Sequence, residues 1–267
     1  MDLGLTGAAV VVAGGTTGMG RAAADCFAAD GARVAVLARS RADLDSTAAA
    51  LGALGSPDAI GIATDLTDGP SVEAAIAEVG ARWGHINALV NAAGPMVGGL
   101  KDFESYTDDD WHATFDGLTM SSVRTVRAAL PFLRAAEWAR IVNVSAMSTK
   151  RQSPPLIAYT ASKSALTSLT KNLAQTLAPD GILVNTVSPG TFTSESFKAH
   201  LAQMPGVDPD DLYDVMRVIK QGFGHGVFLD RAADPKEIGP VIAFAASARN
   251  TYMTGANINV DGGSDFA

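Results

Sequence analysis

Residues 8–20 read Ala8-Ala9-Val10-Val11-Val12-Ala13-Gly14-Gly15-Thr16-Thr17-Gly18-Met19-Gly20. The run 8–13 is apolar without alternation, which suits a strand buried on both faces. The Ala-rich stretch 18–30 that follows reads as a helix. Between them, Gly14, Gly18 and Gly20 are spaced G-x-x-x-G-x-G. Glycine lets the backbone turn with positive φ and lets a pyrophosphate approach closely. The helix behind the turn aims its free N–H groups and positive dipole end at that anion. A turn alone also needs glycines. The strand–glycine–helix context points to a dinucleotide instead, with Gly14, Thr16, Thr17, Gly18, Met19 and Gly20 as its contacts.

The same alternation runs on along the chain. Strands are expected at 33–38, 59–63, 88–90, 140–145, 183–187 and 257–260, and helices at 42–51, 71–83, 108–134 and 157–178. Two helix starts are marked as capping boxes, Thr107 with Asp110 and Asp234-Pro235 with Glu237. The expected fold is α/β: one Rossmann-like, doubly wound parallel sheet of about seven strands with helices on both faces. Residues 1–267 form one dinucleotide-binding catalytic domain, with no linker or repeat dividing it. Residues 192–231 are the irregular part, rich in Gly, Pro and Asp yet carrying large apolar side chains. Such an insertion reads as a substrate loop.

The end of the second strand selects the cofactor. NAD-binding chains carry an acid there to hold the ribose 2′-hydroxyl. This chain has Ala38-Arg39-Ser40-Arg41. Arg39, with Ser40 beside it, is placed to meet a 2′-phosphate, whose geometry suits a guanidinium fork. NADP(H) is therefore expected.

Bulk properties narrow the classes. A net charge of −8 argues against general affinity for nucleic acid or an anionic membrane. No basic leader precedes an apolar run and no apolar run reaches membrane-spanning length, so a cytoplasmic protein is expected. The lone Cys26 reads as a small buried residue, and His85, His112, His200 and His225 lack metal-ligand spacing.

Taken with Asp65, Asn91-Ala92-Ala93-Gly94, Tyr159-Thr160-Ala161-Ser162-Lys163, Pro189-Gly190 and Asp261-Gly262-Gly263, the glycine turn makes the chain resemble the short-chain dehydrogenase/reductase family over nearly its whole length. The resemblance implies that Asp65 and Leu66 hold the adenine and that Asn91, Ala92, Ala93 and Gly94 border the adenosine ribose. Pro189, Gly190, Phe192 and Ser194 would cover the nicotinamide. Tyr159 and Lys163, four apart, share a helix face. An ammonium and an oxidised nicotinamide both favour the phenolate. Tyr159 would then exchange a proton with a ketone or secondary alcohol as hydride moves, and Lys163 would also bond the nicotinamide ribose. A homotetramer follows by the same analogy, with 108–134 and 157–178 pairing across subunits.

Two positions depart from the family. Its catalytic serine stands thirteen residues before the tyrosine, which here is Ala146. Ser145 is expected to supply the hydroxyl, with Ser148 lining the substrate pocket beside Met96 and Phe197. The asparagine expected thirteen before Pro131 is Leu118, which forms no hydrogen bonds and so interrupts the family's proton path. These losses leave a second reading open: a cofactor-binding sensor or scaffold with weak or lost catalysis.

Overall fold

The computed structural model describes residues 2–94, 99–224 and 226–264, with only the backbone of Ser196. Seven strands form a single parallel sheet: β1 (Ala9–Ala13), β2 (Arg33–Ala38), β3 (Ala59–Ala63), β4 (Ala88–Asn91), β5 (Ala139–Val144), β6 (Ile182–Pro189) and β7 (Asn257–Val260). The order is β3-β2-β1-β4-β5-β6-β7. The chain winds outward from β1 to β3, then returns to β4 on the other side of β1. That reversal opens a crevice at the carboxyl ends of β1 and β4, where open α/β sheets bind ligands.

Helices α1 (Gly18–Ala29), α2 (Arg41–Leu54) and α9 (Pro235–Ala245) cover one face, burying Phe27, Leu44, Leu51, Ile238 and Ile242 against Val10, Val12, Val34 and Val36. Helices α3 (Gly69–Trp83), α5 (Ser121–Arg134) and α6 (Ile157–Leu177) cover the other with Ile76, Val79, Leu133 and Leu177. The continuous apolar run of β1 is explained by this double cover, and every residue of β1, β4 and β5 is buried. Both capping boxes form, Thr107 at α4 (Asp108–Phe115) and Asp234 at α9.

Two expectations are corrected. The helix expected over 108–134 is interrupted by a π turn, Asp116–Met120, between α4 and α5. Ser121 Oγ donates to the Gly117 carbonyl at 2.8 Å and Thr119 Oγ1 donates to the Ser162 carbonyl at 2.8 Å. A side chain that draws off a carbonyl of its own helix, as Ser121 does, loosens the ladder and favours a bulge, whereas Thr119 ties the turn to α6. The irregular region 192–231 contains two helices, α7 (Glu195–Leu201) and α8 (Leu212–Phe223). They fold on their own apolar cluster of Leu201, Val215, Met216, Val227 and Ala232. Among the described residues, no helix is long and apolar enough to cross a membrane, and no group of acidic, His or Cys side chains is arranged to hold a metal.

Candidate active site

The glycine turn is shaped by contact. Gly14 has φ +80°, and a Cβ on it would lie 2.7 Å from Ala93 Cα. A Cβ on Gly20 would lie 2.2 Å from the Gly14 carbonyl oxygen. The turn thus packs against the loop after β4 and against α1 itself. Side chains of Ser40, Asp68, Thr107, Asp211 and Asp234 cap α2, α3, α4, α8 and α9. Thr17 does not cap α1 with its side chain, and no acid sits in the first turn of α1. Gly18, at φ +55°, faces open space. Uncapped N–H groups, no competing carboxylate and a cleared approach fit a bound phosphate.

A cleft of about 700 Å³ runs from this turn past the ends of β2 and β3. Gly14, Thr16, Thr17, Arg39, Ser40, Asp65, Leu66 and Ala93, all expected to meet the cofactor, line it. Asp43 and Gly117 also line it and were not foreseen. Arg39 is exposed there, whereas Arg41 pairs with Asp45 at 3.3 Å on the surface of α2. Asp65 accepts from Thr67 N and Thr67 Oγ1, and these bonds hold its carboxyl below the usual range. Asn91 accepts from Thr125 Oγ1 at 2.7 Å and donates to Asn143 Oδ1 at 2.8 Å, bracing the end of β4. The amide of Ala92 donates to the Ala13 carbonyl.

A second cavity, about 190 Å³, opens at the ends of β5 and β6. Tyr159, Ala146 and Ser148 line it with Met19, Pro189, Gly190 and Phe192. Gly190 is held tightly, since a Cβ there would lie 2.7 Å from Asp261 Cα. Ile219 and Phe223 of α8 close the cavity, joined by Leu156 and Ser153. Ile219 and Phe223 fall within the expected substrate loop 192–231, whereas Leu156 and Ser153 were not foreseen. The amphipathic spacing of residues 212–223 was the available signal for the first two.

Lys163 is buried beneath this cavity. Its Nζ donates to the Val144 carbonyl at 2.7 Å and sits 5.8 Å from the centroid of the Tyr159 ring. Gly94 makes room for it: a Cβ there would lie 3.3 Å from Nζ. Leu118, in the π turn, is fully buried on the same side of Gly94. Burial pushes the Tyr159 phenol up to about 12 and the Lys163 ammonium down to about 8. The lowering of the phenol expected from its ammonium neighbour is thus outweighed by desolvation in the protein alone.

Of the two serine hydroxyls, Ser148 lines the cavity as expected and Ser145 does not. Ser145 Oγ turns into the body of α6, bonded to the Lys163 carbonyl at 3.1 Å and to Thr167 Oγ1 at 2.9 Å. It does not line the cavity, whereas Ser148, on the short 3₁₀ turn Met147–Thr149, does. Phe197 packs on the α7–α8 cluster rather than in the cavity, and Ser194 caps α7 by accepting from Phe197 N. Met96, Val97 and His225 lie outside the described residues.

The family model for short chain dehydrogenases matches residues 8–205. An uncharacterized oxidoreductase of Bacillus subtilis is 33% identical over 267 residues, covering 98% of both chains. The crystal structure of L-sorbose reductase from Gluconobacter frateurii, complexed with NADPH and L-sorbose, superposes with a TM-score of 0.90 at 27% identity, covering 100% of each chain. A short chain oxidoreductase from Pseudomonas aeruginosa, described as containing an atypical catalytic center, superposes with a TM-score of 0.88 at 28% identity, covering 97% of this chain and 98% of that one.

Proposed function

The chain belongs to the short-chain dehydrogenase family, and on that premise we propose that it is an NADP(H)-dependent reductase of ketones, running in reverse as a dehydrogenase of secondary alcohols. One observation carries this reading. Tyr159, which lines a mostly apolar cavity, and the buried Lys163 stand one turn apart on α6, in a chain whose glycine turn lines a second, larger cleft. Gly14, Thr16, Thr17, Arg39 and Ser40 would hold NADPH in the cleft, and it would supply the hydride, two electrons with one hydrogen, that the carbonyl carbon takes up.

The chain's own residues do the rest. The Tyr159 hydroxyl gives its proton to the carbonyl oxygen, so that ketone becomes alcohol, and takes that proton back in oxidation. Ser148 donates a hydrogen bond to the same oxygen, where negative charge develops. Lys163 favours the phenolate that Tyr159 becomes and bonds the nicotinamide ribose. Arg39 and Ser40 meet the 2′-phosphate, and the α1 N-terminus meets the pyrophosphate. The cavity suits a small apolar or aromatic ketone. The chain acts as one catalytic domain in which residues 192–231 form the substrate loop, and it assembles as a homotetramer.

Ala146 favours one other reading, a cofactor-binding protein without turnover. The two separate in one assay: NADPH oxidation against cyclohexanone, acetophenone, ethyl acetoacetate and L-sorbose. Turnover of at least one ketone, with the matching alcohol as product, is expected. NADPH binding without turnover of any ketone contradicts the proposal.

A further inference from the structure

Several side chains of α6 carry hydroxyls, and they turn back on the helix. Ser162, Thr167, Thr170 and Thr176 each donate to the carbonyl four residues earlier, at 2.8–3.0 Å. This is the ordinary fate of a hydroxyl inside a helix. Thr160 breaks the pattern. Its Oγ1 leaves the helix and donates to Ser148 Oγ at 3.1 Å. Both residues are buried, Thr160 is the chain neighbour of Tyr159, and Ser148 shares the cavity with Tyr159.

We propose that Thr160 is a positioning residue that makes Ser148 the hydrogen-bond donor to the substrate oxygen, in place of the hydroxyl that Ala146 lacks. The proposal rests on the reading of this cavity as a carbonyl-reducing site. A serine hydroxyl has one proton and two acceptor sites. The bond from Thr160 fills one acceptor site and fixes the side chain, so the Ser148 proton is left to point elsewhere. A hydroxyl that accepts a hydrogen bond also becomes a better donor, because the two bonds polarise one another. Thr160 itself touches no reacting atom. It acts through Ser148 alone, and this distinguishes it from a residue that merely packs.

The test is a double-mutant cycle on the intact enzyme, using the fastest ketone of the four named above. Thr160→Val keeps the shape and removes the donor. It is expected to lower kcat about 5–10-fold, the scale of one buried hydrogen bond, at an unchanged KM for NADPH. Thr160→Ser, which restores the donor, is expected within about twofold of the wild type. In a Ser148→Ala background, Thr160→Val is expected to cost nothing further. An equal loss in both backgrounds, or wild-type kcat in Thr160→Val while Ser148→Ala collapses, overturns the role given to Thr160. Wild-type kcat in Ser148→Ala instead overturns the reading of Ser148, and this proposal with it. NADPH titration of each variant shows that the fold is retained.

Discussion

The Lys163 ammonium lies 5.8 Å from the centroid of the Tyr159 ring, one turn away on α6. Burial drives each group toward its neutral form, with the phenol at about 12 and the ammonium at about 8. The protein alone therefore does not store a phenolate–ammonium pair. On the proposed function, a positively charged nicotinamide beside the phenol would tip that balance toward the ionised pair.

The buried lysine makes stability depend on pH. Its folded value, about 8, lies below the ordinary 10.5, so between these limits the unfolded chain holds the extra proton and stability rises with pH. Below about pH 8 the buried charge costs roughly 3 kcal/mol, and the cost fades toward about pH 10.5. Tyr159 acts in the opposite sense from about pH 10 upward, where the unfolded chain loses its phenolic proton first. Urea midpoints of wild type and Lys163→Met, taken at about pH 7 and about pH 9.5 without cofactor, isolate the lysine. The variant's advantage is expected to be larger at the lower pH. A difference that ignores pH contradicts the buried-charge cost.

Arg39 is proposed to set cofactor choice. NADPH is expected to bind about tenfold or more tighter than NADH, as one charge-assisted phosphate contact supplies. Ala38→Asp combined with Arg39→Ala is expected to reverse the order, because the new carboxylate repels the 2′-phosphate and holds the ribose hydroxyl. Dissociation constants by fluorescence titration measure this, and equal constants in the wild type contradict it.

Ser145 faces α6 and Ser148 lines the cavity, so the donor role is proposed for Ser148. Ser145→Ala removes a bond between the end of β5 and α6 and is expected to cost about 1 kcal/mol of stability while leaving kcat near wild type. Ser148→Ala is expected to lower kcat about 10²–10³-fold with little loss of stability. Steady-state kinetics with melting curves separate them. A collapse of kcat in Ser145→Ala alone contradicts the assignment.

Most of the fold is legible because it rests on patterns that recur: continuous apolar strands, Ala-rich helices and capping boxes at Thr107 and Asp234. The glycine turn is legible for the same reason, since backbone approach needs glycine at Gly14 and Gly20 whatever else varies. The π turn at Asp116–Met120 is not, because the helical period runs through it and the direction of the Ser121 hydroxyl, onto the Gly117 carbonyl, is seen only in the fold. Nor does spacing show that Ser145 faces α6 while Ser148 faces the cavity. Side-chain direction at a strand end depends on the local turn. Thr160 was legible as part of a motif, and its bond to Ser148 only in three dimensions.

Leu118 tests the proton path. Leu118→Asn places an amide near Lys163 and is expected to raise kcat a few-fold where proton delivery limits it, at a stability cost on the order of 2–5 kcal/mol. The wild type is expected to show a solvent isotope effect on kcat that shrinks in the variant. A wild-type kcat indifferent to heavy water contradicts a slow proton path.

The central claim is that Tyr159 moves the proton. Single-turnover oxidation of pre-bound NADPH by the fastest panel ketone, in wild type and Tyr159→Phe, measures it most directly, with NADPH affinity as the control. The rate is expected to fall about 10²–10⁴-fold while the NADPH dissociation constant stays within about twofold. A wild-type single-turnover rate in Tyr159→Phe contradicts the account.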